Sequence, residues 1–321
     1  MKKIFSIFLR VSISVILLFF LFRNVDEKSM LSIVKNANKP VLFLAFLIYL
    51  IGYLLCLRRW QMLLKAINIH LPIKRIITSF SGGVFFSLFL PSTIGGDVVR
   101  SVDLATHTKK PKEIIATVFL DRLSGYIGLV LLALLALMFG IKIIEDKSVF
   151  LSLEIIIGIL ALVLIVLLNT FIYTKINKLL KSFVAGRIRD MITNLHEEIH
   201  IFRNKRKVIV KNILLSFMIQ LITPITFYFI ALALCLKTSP LYFFIFLPII
   251  GAITLLPISI GGLGLRDATT VFFFTKVGVA KDLAFAMSLI NFSFILIYGA
   301  IGGLIYVLTV RHRRVQHNSP S

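Results

Sequence analysis

The sequence predicts an all-α polytopic membrane protein, with six spanning helices and two re-entrant segments in an inverted-topology repeat. Three observations lead there. First, 58% of the 321 residues are hydrophobic, and several apolar runs are uninterrupted, which no soluble core of this size requires. Second, one motif occurs twice at a fixed offset of 166 residues: residues 91–100 read PSTIGGDVVR and residues 257–266 read PISIGGLGLR. Third, each copy follows an apolar run of 15 residues, 76–90 and 242–256. Spanning a bilayer takes about 20 residues at about 1.5 Å each. Short apolar segments broken by Pro and Gly at matching places in two halves point to a transporter-type binding site.

The spans are expected over 4–22, 41–57, 113–139, 149–173, 212–236 and 284–308. The first begins Met-Lys-Lys like a signal peptide, but Arg10 interrupts it and no small-residue cleavage site follows, so it reads as an uncleaved helix. The two short runs fall after the second and fifth spans. With both re-entrant and the N-terminus inside, most of the 36 Lys and Arg, including ten in 174–211, lie on the cytoplasmic side, as the positive-inside bias requires. Each half then reads span, span, re-entrant loop, span, with opposite starting faces. The chain divides into a first membrane repeat (1–139), a second (140–308) and a cytoplasmic tail (309–321). Both termini are expected in the cytoplasm, with the body in the cytoplasmic (inner) membrane.

The polar segment 174–211 has helical apolar spacing with lysines between, the pattern of amphipathic helices on a membrane surface. An anionic-lipid contact and a plain basic connector both fit it. The net charge of +22 follows from the basic cytoplasmic loops and not from a nucleic-acid partner. Cys56 and Cys235 show no disulfide or metal spacing and read as packing residues.

Charge inside apolar segments marks the candidate site. Gly95 and Gly96 free the backbone for close approach of a ligand, with Thr93 ahead of them. A helix restarting near Asp97 would aim free N–H groups at the loop, an anion site. Arg100, one turn on, brings a planar guanidinium suited to phosphate, expected at a loop end outside the packed core. Asp97 is placed as its partner. Asp121 and Arg122 lie inside the third span. They either gather with Arg100 around an anionic head group or form a local pair that fixes packing. Asp121, Gly125 and Gly128 share one helix face.

The second motif brings Ser259, Gly261, Gly262, Arg266 and Asp267 towards the opposite membrane face. Asn291, on a polar face of the sixth span, takes roughly the place of Arg122. Gln220, Thr223 and Pro224 either line the cavity or simply pack. His196 and His200 flank Glu197-Glu198, which is not the zinc-protease spacing, and no nucleophile elbow or Walker loop occurs. No catalytic residue, metal or cofactor is therefore assigned.

The doubled motif, together with Asp121-Arg122, resembles the lysylphosphatidylglycerol synthase transmembrane-region family, the flippase-like module of the multipeptide resistance factor, over about residues 5–310. Members of that family often carry Glu where this chain has Asp97, Asp121 and Asp267. The resemblance implies a carrier of anionic or aminoacylated phospholipid. The alternatives are a translocator of a polyprenyl-phosphate-linked sugar or its carrier lipid, and a non-transporting partner of a separate lipid synthase or glycosyltransferase. The full synthase has a soluble aminoacyl-transferase domain for which this chain leaves no room, so lysyltransferase activity is not expected.

Overall fold

The structure is a computed structural model and describes residues 32–90, 93–140, 205–254 and 262–317, with a few isolated positions besides. The expected spans over 4–22 and 149–173, most of the basic segment 174–211 and Gly261 lie outside the described residues. Those residues hold no strand, and eight helices account for most of them.

Helix α1 (Lys39–Ala66) opens where Asn38 Oδ1 accepts the Val41 N–H and Pro40 sits in the first turn, both strong start signals. It ends before Asn68, which takes a left-handed turn at φ 59°. Helices α2 (Ile73–Phe89) and α3 (Thr93–Thr108) form a tight hairpin. At 17 residues, α2 is about 25 Å long, short of the roughly 30 Å hydrocarbon layer. Lys109 turns left-handed, and Pro111 begins α4 (Pro111–Gly140). The second half follows with α5 (Arg206–Ala233), α6 (Pro240–Thr254), α7 (Leu265–Thr275) and α8 (Lys281–His317).

The order long, short, short, long thus occurs twice. The packing between the halves is reciprocal. Helix α1 packs on α5, while α2 lies against α8 and α6 against α4, so each half's second helix meets the other's fourth. Four helices, α1, α4, α5 and α8, are long and apolar enough to cross a membrane among the described residues. Their outward faces are apolar too: Phe43, Leu47, Ile51 and Leu54 of α1 are exposed at helical spacing, which suits a lipid solvent and not water.

Two aromatic-rich cores hold the bundle. One packs Trp60, Leu64, Ile76, Phe80, Leu104, Ile114 and Val118, seating the α2–α3 hairpin on α1 and α4. The other joins α5, α6, α7 and α8 around Phe243, Phe246, Phe273 and Phe274.

The glycine pair of the first motif does something other than the sequence suggests. Gly95 and Gly96 lie in the first turn of α3, which starts at Thr93 and not near Asp97. Neither has positive φ, whereas Gly262 and Gly264 of the second motif do. A methyl group on Gly96 would overlap the Gly83 carbonyl oxygen across the hairpin. Gly96 therefore serves helix–helix approach, while Gly95 leaves room for the Leu90 side chain at the turn.

Candidate functional site

Five charged side chains from three helices meet within the bundle. Arg59 comes from α1, Asp97 and Arg100 from α3, and Asp121 and Arg122 from α4. They form an alternating chain. Arg59 Nε donates to Asp121 Oδ1 at 2.7 Å, and Arg100 Nη2 donates to Asp121 Oδ2 at 3.0 Å. Arg100 Nε donates to Asp97 Oδ1 at 3.0 Å. Arg122 Nε donates to Asp97 Oδ2. Polar neighbours hold both ends: Arg59 Nη1 donates to Ser216 Oγ of α5 at 2.9 Å, and Arg122 Nη1 to the Tyr126 hydroxyl at 3.4 Å.

Burial makes this arrangement costly unless it is fully paired. Arg59, Arg100 and Asp121 are all below one-tenth exposed. Among the described residues of the cluster, three guanidiniums face two carboxylates. Arg100 Nη1 is buried without a hydrogen-bond acceptor. Its guanidinium lies 4.8 Å from the Trp60 ring centroid and 5.5 Å from that of Phe80. These aromatic faces stabilise the cation but supply no lone pair to the free N–H. The Trp60 Nε1–H donates to Thr117 Oγ1, which fixes the indole under Arg100.

All five charged residues line one cavity of about 390 Å³. Ser87 and Tyr126 also reach it, as do Gln220 and Gly251 from the second half. Gln220 Nε2 donates to the Gly125 carbonyl at 2.9 Å, and a methyl on Gly128 would press on the Ser216 backbone. The small face of α4 thus lets α5 come close, and places a wall from the second half beside the first half's charges.

Several expectations change here. Arg100 is not at a loop end outside the packed core; it is a buried helical residue bonded to two carboxylates. Asp121 and Arg122 are not a local pair. Neighbours on a helix point about 100° apart, so Asp121 faces Arg59 and Arg100 while Arg122 faces Asp97. Asp97 does partner Arg100, as its spacing of three on a helix allows. Thr93 lies at the start of α3 and Gly96 lines the cavity.

The second motif forms a separate, self-satisfied cluster that does not line this cavity. Asp267 accepts the Gly264 N–H at 2.9 Å, capping α7, and accepts Arg266 Nη2 at 2.8 Å. Arg266 Nε donates to Ser288 Oγ, and the Ser288 hydroxyl donates to Asp267. Here one cation meets one carboxylate, with Phe292 under the guanidinium. Ser288, not Asn291, supplies the polar contact from α8. Asn291 and Ser259 are buried, and Asn291 Oδ1 and Ser259 Oγ have no hydrogen-bond partner.

Arg59, Trp60, Tyr126 and Ser216 are site residues that sequence reasoning missed. Leu57, Trp60 and Leu64 continue the helical period past Arg58-Arg59, and that was the available signal for a longer α1.

Comparison with known proteins agrees with the fold. The family model for the lysylphosphatidylglycerol synthase transmembrane region matches residues 7–303. A UPF0104 membrane protein of Pyrococcus horikoshii is 24% identical over 321 aligned residues, covering 91% of this chain and 92% of that one. Another UPF0104 membrane protein, from Methanothermobacter thermautotrophicus, is 24% identical over 283 residues, covering 80% of this chain and 81% of its own. With a match across nearly its whole length, four apolar helices long enough to span and charged side chains buried between them, the chain belongs to the lysylphosphatidylglycerol synthase transmembrane-region family of multi-pass membrane proteins.

Proposed function

We propose that this protein is a lipid carrier of the cytoplasmic membrane, which holds the anionic head group of a phospholipid on Arg100 and moves it across the bilayer. One observation carries the reading: Arg100 Nη1 is buried beside the cavity with no acceptor. A phosphate oxygen would supply the missing lone pair in a charge-assisted bond. Asp97 holds Arg100 in place between turnovers.

The proposal includes six spans, an inverted repeat and cytoplasmic termini. The doubled helix order and the reciprocal packing of α2 with α8 and α6 with α4 are what a two-fold exchange of the halves produces. Two such halves rocking about a central site give alternating access. A reporter at Arg189 and one after Leu308 should both read cytoplasmic, and one at Lys147 external. An external Arg189 would remove the inverted repeat.

Purified protein in liposomes with head-group-labelled lipids tests the function itself. Movement of a labelled anionic phospholipid without a partner protein supports the carrier. Movement of a polyprenyl phosphate alone would reassign the cargo, a converted head group would mean an enzyme, and no movement would leave a partner role.

A further inference from the structure

A second cavity of about 260 Å³ adjoins the charged one. The two share Cys56, Phe80 and Val84 in their walls. Beyond that junction the character changes. Among the described residues the second cavity is lined by no charged side chain and is walled by aromatic and aliphatic groups, among them Tyr53, Ile222, Ile295 and Tyr298, with Thr223 beside them. Two of its hydroxyls are already paired within the protein. Tyr53 bonds Ser81 at 2.7 Å, and Tyr298 donates to the Phe46 carbonyl at 3.2 Å. Their rings stack at a centroid distance of 5.9 Å, so the wall offers ring faces to an occupant.

We infer that this annex takes the first part of the apolar chain of the same amphiphile whose anion sits on Arg100. The inference rests on the head-group reading above and extends it to the substrate: the apolar chain-start of the anionic phospholipid enters the bundle together with its phosphate. A carrier can leave the tails in the surrounding bilayer while only the head enters. The adjoining walls describe the other arrangement, in which charge and chain-start enter the bundle together. An apolar volume next to a buried cation is otherwise a poor place for water, and a chain fills it at a gain for each methylene.

The single tryptophan of the chain reports on the site, because Trp60 lies under Arg100. Its fluorescence would be titrated in the full-length protein in maltoside detergent with inorganic phosphate, then butyl, hexyl and octyl phosphate. Each methylene placed in the annex should tighten binding about fourfold. Octyl phosphate should therefore bind at least about fiftyfold tighter than inorganic phosphate, the equivalent of about three methylenes. Thr223→Phe and Ile295→Phe fill the annex from α5 and α8, and each should reduce that ratio about tenfold or more. Measuring both ligands on each variant removes any general loss of fold or of anion affinity.

A ratio that both variants leave unchanged would place the chain in the micelle and overturn the annex. So would phosphate binding with no dependence on chain length, which leaves the head-group reading intact. No response to either phosphate or its esters would overturn the head-group reading and the annex together.

Discussion

Asp121→Asn should be among the most destabilising substitutions of a single polar group in this bundle. The amide keeps the shape of the carboxylate but removes the charge between Arg59 and Arg100. Two buried guanidiniums then share an uncharged neighbour, and the five-membered chain carries three cations against Asp97 alone. Breaking a buried ion pair by removing one partner costs about 3–5 kcal/mol. Here one carboxylate serves two arginines, so the upper part of that range is expected. The unfolding midpoint of the purified protein in denaturant measures it. A change within about 0.5 kcal/mol, the size of an ordinary surface substitution, would mean that water already screens the cluster and that its charges are not mutually dependent.

Arg100→Ala should have the largest effect on function. The free Nη1 is the contact offered to the head group, and a charge-assisted hydrogen bond is worth about 1.5–3 kcal/mol, roughly ten- to a hundredfold in affinity. Because Arg100 also neutralises Asp97 and Asp121, the same substitution will lower the yield of folded protein. Transport must therefore be expressed per folded molecule. Arg100→Lys separates the two effects. It keeps the charge, which limits the structural damage, but a single ammonium cannot reach two carboxylates and a ligand in one plane. Stability should recover further than transport does. Full recovery of transport per folded molecule in Arg100→Lys would show that charge alone, without the guanidinium fork, accounts for the site.

The parts of this architecture legible in the sequence were those with local signatures. The apolar runs marked α2, α4, α5, α6 and α8, and the short lengths of α2 and α6 followed from their limits. The Asp97–Arg100 partnership followed from helical spacing. The charges of Asp121 and Arg122 stood out against an apolar background. What could not be read was tertiary in origin. Arg59 read as part of a basic cytoplasmic loop beginning at Arg58, because a charge after an apolar run normally ends a span. Asp121, 62 residues away, and Ser216, 157 residues away, make its burial tolerable.

The motif repeat misled in one respect. Position 97 is Asp in the first copy, whereas the equivalent position, 263, is Leu in the second. Arg266 consequently turns to its neighbour Asp267 and closes on itself. Arg100 reaches two carboxylates on different helices and keeps an N–H free. Gly96 and Gly262, equivalent in the two copies, also differ. Gly96 admits a neighbouring helix, while Gly262 sits in a left-handed turn.

Arg100, with its buried N–H lacking an acceptor, is the group that takes the anion, and Asp97→Asn tests the sign of the field around it. Asp97 bonds both Arg100 and Arg122, so removing its charge makes the site more positive without removing a cation. A like charge about 8 Å from a bound anion opposes it by about 2 kcal/mol at an effective dielectric constant of about 20. The affinity for inorganic phosphate, read on Trp60 fluorescence, should therefore rise by about tenfold or more in Asp97→Asn, while Arg100→Lys lowers it. Unchanged or weaker phosphate binding in Asp97→Asn, in protein that is folded, would contradict the account and leave the cluster a packing device.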